Sequence, residues 1–188
     1  MSGVLLVISG PSGVGKSTVV AEIRERRKFH FSVSVTTRHR RPDESEDVDY
    51  HFIDPDRFQE MIENGELLEW AEYAGKYYGT PRGPVVKALQ AGNDVLLDIE
   101  NHGAMQVRHS WPEALLIFIV PPSQDELERR LRSRGDTTEP DIAARLSVAA
   151  EQVEQARGTY DYLVINRDVD AVTNEILDIL AKHEQGTQ

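Results

Sequence analysis

The sequence predicts an α/β fold: a mostly parallel sheet flanked by helices, with a small mixed lobe of antiparallel strands inserted into it and a helical lid. Three observations carry this prediction. Short apolar runs of strand length at 4–8, 94–98, 115–120 and 162–166 alternate with stretches of helical periodicity. That alternation is the pattern of parallel strands joined by helical crossovers. The first run leads directly into Gly10-Pro11-Ser12-Gly13-Val14-Gly15-Lys16-Ser17, which fits G-x-x-x-x-G-K-[ST], a phosphate-holding loop between a strand and a helix. Residues 34–80 interrupt the alternation with short strands and a hairpin pattern.

Taken in order, the first strand is Val4-Leu5-Leu6-Val7-Ile8. The helix after the loop turns Val19, Val20 and Ile23 inward and Glu22, Arg24, Glu25 and Arg26 outward. Phe31-Ser32-Val33-Ser34-Val35 alternates as a strand and runs into the Arg-rich loop 36–42. An acidic, turn-prone segment follows at 43–49, then a short strand over 50–53. Asp54-Pro55 reads as an N-cap with Pro at the first helical position, opening a helix to Glu63 that Asn64-Gly65 stops. The runs 67–73 and 77–80 flank the turn Ala74-Gly75-Lys76 and form a hairpin.

A helix over 84–91 ends at Gly92, and the next strand, 94–98, carries Asp98 at its C-terminal end, where open α/β sheets bind ligands. A helix from about Ala104 stops at Trp111-Pro112 and leads to the most apolar strand, 115–120. Pro121-Pro122-Ser123 breaks that strand and caps a helix bearing Arg129, Arg130, Arg132 and Arg134. The loop 135–138, a helix over 140–156, the strand 162–166 and an amphipathic helix over 169–182 complete the chain.

Composition narrows the function. With 188 residues, 39% hydrophobic and 28% charged, the chain has the length and balance of one globular domain with a substantial core. A formal net charge of −11 argues against nonspecific nucleic-acid or anionic-membrane binding. Within that acidic body the cations are mostly Arg, clustered at 38–41 and 129–134, as suits local capture of phosphate by guanidinium forks. The absence of Cys excludes disulfides, thiolate catalysis and thiolate metal sites. The six His lack metal-ligand spacing, and His51 and His102 read as surface residues. No apolar run reaches membrane-helix length, and the N-terminus enters the first strand without a secretory signal, so a cytoplasmic enzyme is expected.

The loop supplies the chemistry. Glycines let backbone N–H groups close around an anion, Lys16 brings a point charge to the β/γ-phosphates, and the Ser17 hydroxyl suits Mg²⁺. Such a loop serves switch GTPases, motors and small-molecule kinases alike. No N-K-x-D guanine-reading motif of a GTPase is present, and the chain is short for a motor core. Two inserts, 34–80 and 123–156, give a transferase the means to exclude water.

The segment from Val7 to Thr18, Ser32-Val33-Ser34 with Thr36-Thr37-Arg38, Asp49-Tyr50 with Phe52, Tyr77-Tyr78-Gly79-Thr80, and Arg134-Gly135 together resemble guanylate kinase. Their spacing stays in register from about Leu5 to the last helix. The resemblance implies one domain over 1–188 with a P-loop NTPase core at 1–33, 81–122 and 157–188. It also implies a GMP-binding lobe at 34–80 and a lid at about 123–156. The implied reaction is in-line transfer of the γ-phosphoryl group of ATP to GMP with Mg²⁺, in the cytoplasm. ATP and GMP are the expected partners, with no nucleic acid, membrane or obligatory protein partner.

Residue by residue, the resemblance implies ATP binding by Gly10, Pro11, Ser12, Gly13, Val14, Gly15, Lys16, Ser17, Thr18 and Asn166. It implies GMP binding by Ser34, Arg38, Arg41, Tyr50, Glu69, Tyr78, Thr80, Asp98 and Glu100. Lys16, Arg38, Arg130, Arg134 and Arg145 are implied as catalytic, and Ser17 as the metal residue. In that assignment Ser34, Glu69 and Thr80 read guanine, whose N1–H and N2–H₂ suit a carboxylate and which adenine cannot match. Alternatives stand beside these roles: Tyr50 and Tyr78 as packing aromatics, Glu69 as the exposed side of its strand, Arg129 and Arg132 as a solvated face. The chain departs from the family pattern at Asp43, Asp47, Glu100 and His102. The sequence leaves two readings of the acidic loop at 43–49 open: charges that weaken substrate binding near an acceptor phosphate, or a tolerated surface.

Overall fold

The computed structural model describes residues 3–73, 75–133 and 138–186, which form two compact units. One comprises the chain up to Leu5 with Phe29–Leu97 and His102–Ala114; the other comprises Leu6–Lys28, Asp98–Asn101 and the chain from Leu115 onward.

The apolar strands make the first sheet. β1 (Leu5–Ser9), β6 (Val95–Asp98), β7 (Leu115–Val120) and β8 (Tyr162–Ile165) lie in the order β6-β1-β7-β8. β7 pairs parallel with β1 through Leu6↔Leu115 to Ser9↔Phe118, and with β8 through Ile117↔Tyr162 to Val120↔Ile165. Every residue of β1 is buried, as are Leu115 to Ile119, which is why these runs carry no polar alternation.

Helix α1 (Lys16–Arg26) buries Val19, Val20 and Ile23, as the sequence predicts. Arg26 ties it to α7 (Val169–Gly186) by bonds to Asp170 and to Asn174 Oδ1, the latter at 2.9 Å. Helices α5 (Gln124–Ser133) and α6 (Glu139–Ala156) pack through Leu127, Leu131, Ile142, Leu146 and Ala149. Ser123 Oγ caps α5 by accepting the Glu126 N–H at 3.1 Å.

A second sheet, of order β3-β2-β5-β4, is formed by β2 (Ser34–Thr36), β3 (Tyr50–Phe52), β4 (Leu67–Tyr73) and β5 (Lys76–Pro81). β2 runs parallel to β3 and antiparallel to β5, and β4 is antiparallel to β5, the mixed lobe the sequence predicts. Helix α2 (Pro55–Glu63) starts and ends where Asp54-Pro55 and Asn64-Gly65 place it. The Asp54 carboxylate accepts the Arg57 N–H at 2.8 Å, and Gly65 takes φ 64°. Its buried Phe58 and Met61 join Val35 and Leu67 in a local core, with Tyr77 stacked on Phe58 at 5.3 Å.

Three elements start two residues or more away from where the sequence reading puts them, and the last helix runs on to Gly186. The strand over 31–35 shrinks to Ser34–Thr36, because only that stretch has ladder partners; Phe31 is 50% exposed. Helix α3 (Arg82–Gln90) begins ahead of Pro84, which is tolerated in a first turn where N–H groups lack intrahelical partners. Helix α4 (Asn101–Ser110) starts before Ala104 and takes Gly103 into its first turn, a choice with a tertiary cause given below.

Candidate active site

In the second unit, β1 ends at Ser9 and the chain enters the loop, whose Gly13 (φ 84°) and Gly15 (φ 94°) lie in the left-handed region. Between them Val14 is fully buried and anchors the loop. Its carbonyl accepts from Asn166 Nδ2 at 2.8 Å and from Arg130 NH1 at 3.0 Å. Arg130 also donates through NH2 to the Asn166 carbonyl at 3.1 Å and through Nε to Glu126 at 2.8 Å. The resemblance sets Asn166 beside ATP and Arg130 among the catalytic arginines; the structure places both side chains against the Val14 carbonyl of the loop itself.

Lys16 stands at the start of α1, its ammonium bonded to the Asp98 carboxylate and 3.5 Å from the Ile99 carbonyl. Asp98, expected among the acceptor's ligands, therefore faces the loop's own cation. Ser17 and Thr18 are exposed in the first turn of α1, where unpaired N–H groups and the helix dipole favour anions. Arg145 on α6 is exposed and points NH1 at Ser12 Oγ across 3.5 Å. The buried Pro11 accepts the Val14 N–H at 3.2 Å through its carbonyl, closing the loop; Gly10 is buried as well. Glu100 is exposed. Arg134 lies outside the described residues.

The other unit collects the remaining candidates. Glu69 on β4 is 7% exposed, so it is not the open side of its strand, and it pairs in register with Thr80. Thr80 Oγ1 donates to Glu69 Oε1 at 2.5 Å. Burial pushes the Glu69 carboxyl above its ordinary range, while the Thr80 hydroxyl and N–H pull it back. Ser34 is half-buried at the β2 position paired with Tyr50.

Arg38 is gripped by Glu44, which accepts NH2 at 2.7 Å, NH1 at 2.9 Å and the Arg41 N–H at 2.8 Å. The pairing with Arg38, then the Arg41 N–H, lowers the Glu44 carboxyl to about 2. Glu44 and, next, Tyr78 raise the Arg38 pKa further. The Arg38 guanidinium sits 5.5 Å from the Tyr50 ring centre and 5.7 Å from that of Phe52. Tyr50 and Tyr78 meet edge to face at 6.1 Å, so both pack and both remain beside the arginine. Arg41 is exposed. Of the acidic loop, Glu44 faces Arg38, whereas Asp47 (φ 63°) turns to His51, 2.7 Å away.

Sequence reasoning misses Glu44, Asn101, Gly103, Gln106 and Tyr160. Tyr160 donates to Asn101 Oδ1 at 2.9 Å, and burial raises its phenol to about 12. For all but Glu44 the partner is far along the chain.

A family model for guanylate kinase matches residues 2–183. The guanylate kinase of Desulfitobacterium hafniense is 46% identical over 179 residues, covering 95% of this chain and 89% of the relative. That of Thermosynechococcus vestitus is 50% identical over 169 residues, 89% of this chain and 88% of the relative. Among solved structures, guanylate kinase from Anaplasma phagocytophilum matches with a TM-score of 0.73 and 36% identity, over 96% of this chain and 86% of that one.

Proposed function

The chain belongs to the guanylate kinase family, and from that premise we propose how its own residues transfer the γ-phosphoryl group of ATP to GMP, giving ADP and GDP. It is an ATP:GMP phosphotransferase on a P-loop NTPase fold, and no described helix is long and apolar enough to cross a membrane. We place it in the cytoplasm, with ATP and GMP as its partners.

The loop from Gly10 to Thr18 takes the ATP phosphates, with Asn166 and Arg130 fixing its Val14 carbonyl from behind. Arriving phosphate gives the Lys16 ammonium a more highly charged partner than the Asp98 carboxylate. The exposed Ser17 hydroxyl and the Asp98 carboxylate are hard oxygen donors, a set that fits Mg²⁺. When bound, Mg²⁺ neutralises charge on the β- and γ-phosphates. Arg145, and Arg134 by family position, balance charge on the transferring group.

On the acceptor side Glu69 takes guanine N1–H and N2–H₂, with Thr80 and Ser34 serving the remaining polar edge. Arg38, Arg41, Tyr50 and Tyr78 hold the GMP phosphate, whose oxygen is already a competent nucleophile at neutral pH. Catalysis is therefore positioning and charge neutralisation without a covalent intermediate.

The single observation that carries the assignment is the buried Glu69–Thr80 pair, since a sugar-phosphate kinase needs no buried carboxylate to read a base edge. A coupled ADP-release assay offering GMP, AMP, UMP and ribose phosphates separately, with a no-acceptor control, tests it. Turnover confined to GMP and dGMP is expected; comparable turnover with AMP or a sugar phosphate would overturn the assignment of Glu69.

A further inference from the structure

Glu69 sits at a difficult place in its sheet. β4 is an end strand in the order β3-β2-β5-β4, and its register against β5 shifts between Leu67 and Glu69. That irregularity leaves Leu67, Leu68 and Glu69 buried in succession, where a regular strand would alternate. A bulged edge strand is the least constrained part of a sheet, yet it carries the carboxylate on which base reading depends.

We propose that α4 (Asn101–Ser110) is the positioning element for this carboxylate: Gln106 locks the strand that carries Glu69, and Gly103 leaves the space in which its second oxygen lies. The inference rests on the assignment of Glu69 to the guanine edge. The Gln106 amide supplies the neighbour that β4 lacks. Its Oε1 accepts the Trp70 N–H at 3.1 Å, and its Nε2 donates to the Trp70 carbonyl at 2.6 Å. One side chain thus reproduces both bonds of a strand ladder, at the residue next to Glu69. Ser110 Oγ reaches the Leu68 carbonyl, on the other side of Glu69, at 3.4 Å.

Gly103 acts on the carboxylate itself. A Cβ on Gly103 would lie 2.4 Å from Glu69 Oε2 and 3.2 Å from its carboxyl carbon. With Oε1 held by Thr80 at 2.5 Å, the wall of α4 at Gly103 sets where Oε2 lies. This close approach is also why α4 carries a glycine in its first turn. Gly103 is not in the left-handed region, so alanine suits its backbone, and the atom in its way is the tip of a side chain. Substitution there moves the carboxylate and leaves the helix in place.

Gly103→Ala and Gln106→Leu are compared with Glu69→Gln by thermal melting, by KM for ATP and for GMP, and by kcat/KM for GMP over IMP, which lacks the exocyclic amine. Gly103→Ala is expected to keep its Tm and its KM for ATP while the GMP/IMP ratio falls by about tenfold. Gln106→Leu is expected to lower the same ratio and raise KM for GMP more than it changes kcat. A purely structural role would lower Tm and leave the ratio alone. Wild-type ratios in both variants, with the ratio lost in Glu69→Gln, would overturn the proposal. An unchanged ratio in Glu69→Gln would instead overturn the reading of Glu69 on which it rests. Should Gln106→Leu fail to fold, Gly103→Ala decides alone.

Discussion

Under the proposed function, the phosphate loop and strand β4 solve recognition in opposite ways. The loop is a backbone device, in which two left-handed glycines set the curve and a buried Val14 anchors it. Its supports, Asn166 and Arg130, grip a main-chain carbonyl. The phosphates of a nucleoside triphosphate have no edge pattern to read, so main-chain N–H groups with one cation can cradle them. The proposed base site is a side-chain device: Glu69 is buried and bonded to Thr80, and Gln106 of α4 bonds the backbone of the neighbouring Trp70. A base must be told from near-identical bases, and that requires directional groups whose desolvation is costly when they go unmatched. A backbone site tolerates most side-chain changes, whereas a side-chain site fails when its supports shift.

The largest effect that can break this contrast is Lys16→Ala. It removes the cation from the loop and leaves the Asp98 carboxylate unopposed beside the phosphates. A kcat loss on the order of 10³-fold is expected in the coupled assay, comparable to removing one transition-state charge stabiliser. Retained turnover would show that the loop works through its backbone alone.

Next is Glu69→Gln. The amide keeps the shape but presents a donor where guanine also donates, so preference for GMP over AMP should fall by roughly 10²-fold, measured as a ratio of kcat/KM. An unchanged ratio would move base selection to another residue.

Smaller again is Asn166→Ala. Val14 loses one of two donors while Arg130 retains the other. A stability loss of about 1 kcal/mol in urea titration is expected, with KM for ATP raised and KM for GMP unchanged. A change confined to KM for GMP would contradict the assignment of this support to the loop.

The smallest effects are on pH. The proposed reading of guanine N1–H and N2–H₂ requires Glu69 ionised, and burial has raised its carboxyl above the ordinary 4.5. KM for GMP should therefore climb on acidification at a pH above that value, and the climb should vanish in Glu69→Gln. In stability the raised group favours the protonated fold, a contribution present at low pH and lost as pH rises through its folded value. Glu44 runs the other way: lowered to about 2, its contribution is full above 4.5 and fades as pH falls toward 2. Acid titration of Glu44→Gln should show a shallower loss of stability than the parent between those limits.

The same contrast explains what is legible in the sequence. The loop is a contiguous string whose chemistry and spacing are one pattern, so the amino-acid order alone names Gly13, Gly15, Lys16 and Ser17. Strand β7, helix α2 and the β4–β5 hairpin are legible for the same reason, since apolar runs, an Asp-Pro cap and a Gly turn are local signals. What escapes is tertiary. Nothing in the sequence shows that Glu69 lies against Gly103, and helical periodicity places the start of α4 too late. Gln106 looks like any polar helix residue until Trp70 is placed opposite, 36 positions away. Asp98 shows its strand-end position but not its partner, because Lys16 lies 82 residues upstream. Charge alone does not show what the carboxylates of the acidic loop face; the structure pairs Glu44 with Arg38 and Asp47 with His51.

The most direct test of the contrast is calorimetric binding of a non-hydrolysable ATP analogue and of GMP, measured separately on Lys16→Ala and Glu69→Gln. The account predicts that Lys16→Ala loses the nucleoside triphosphate and keeps GMP, and that Glu69→Gln loses GMP and keeps the triphosphate. Loss of both ligands in either variant would contradict the claim that phosphate and base are read by two separate devices.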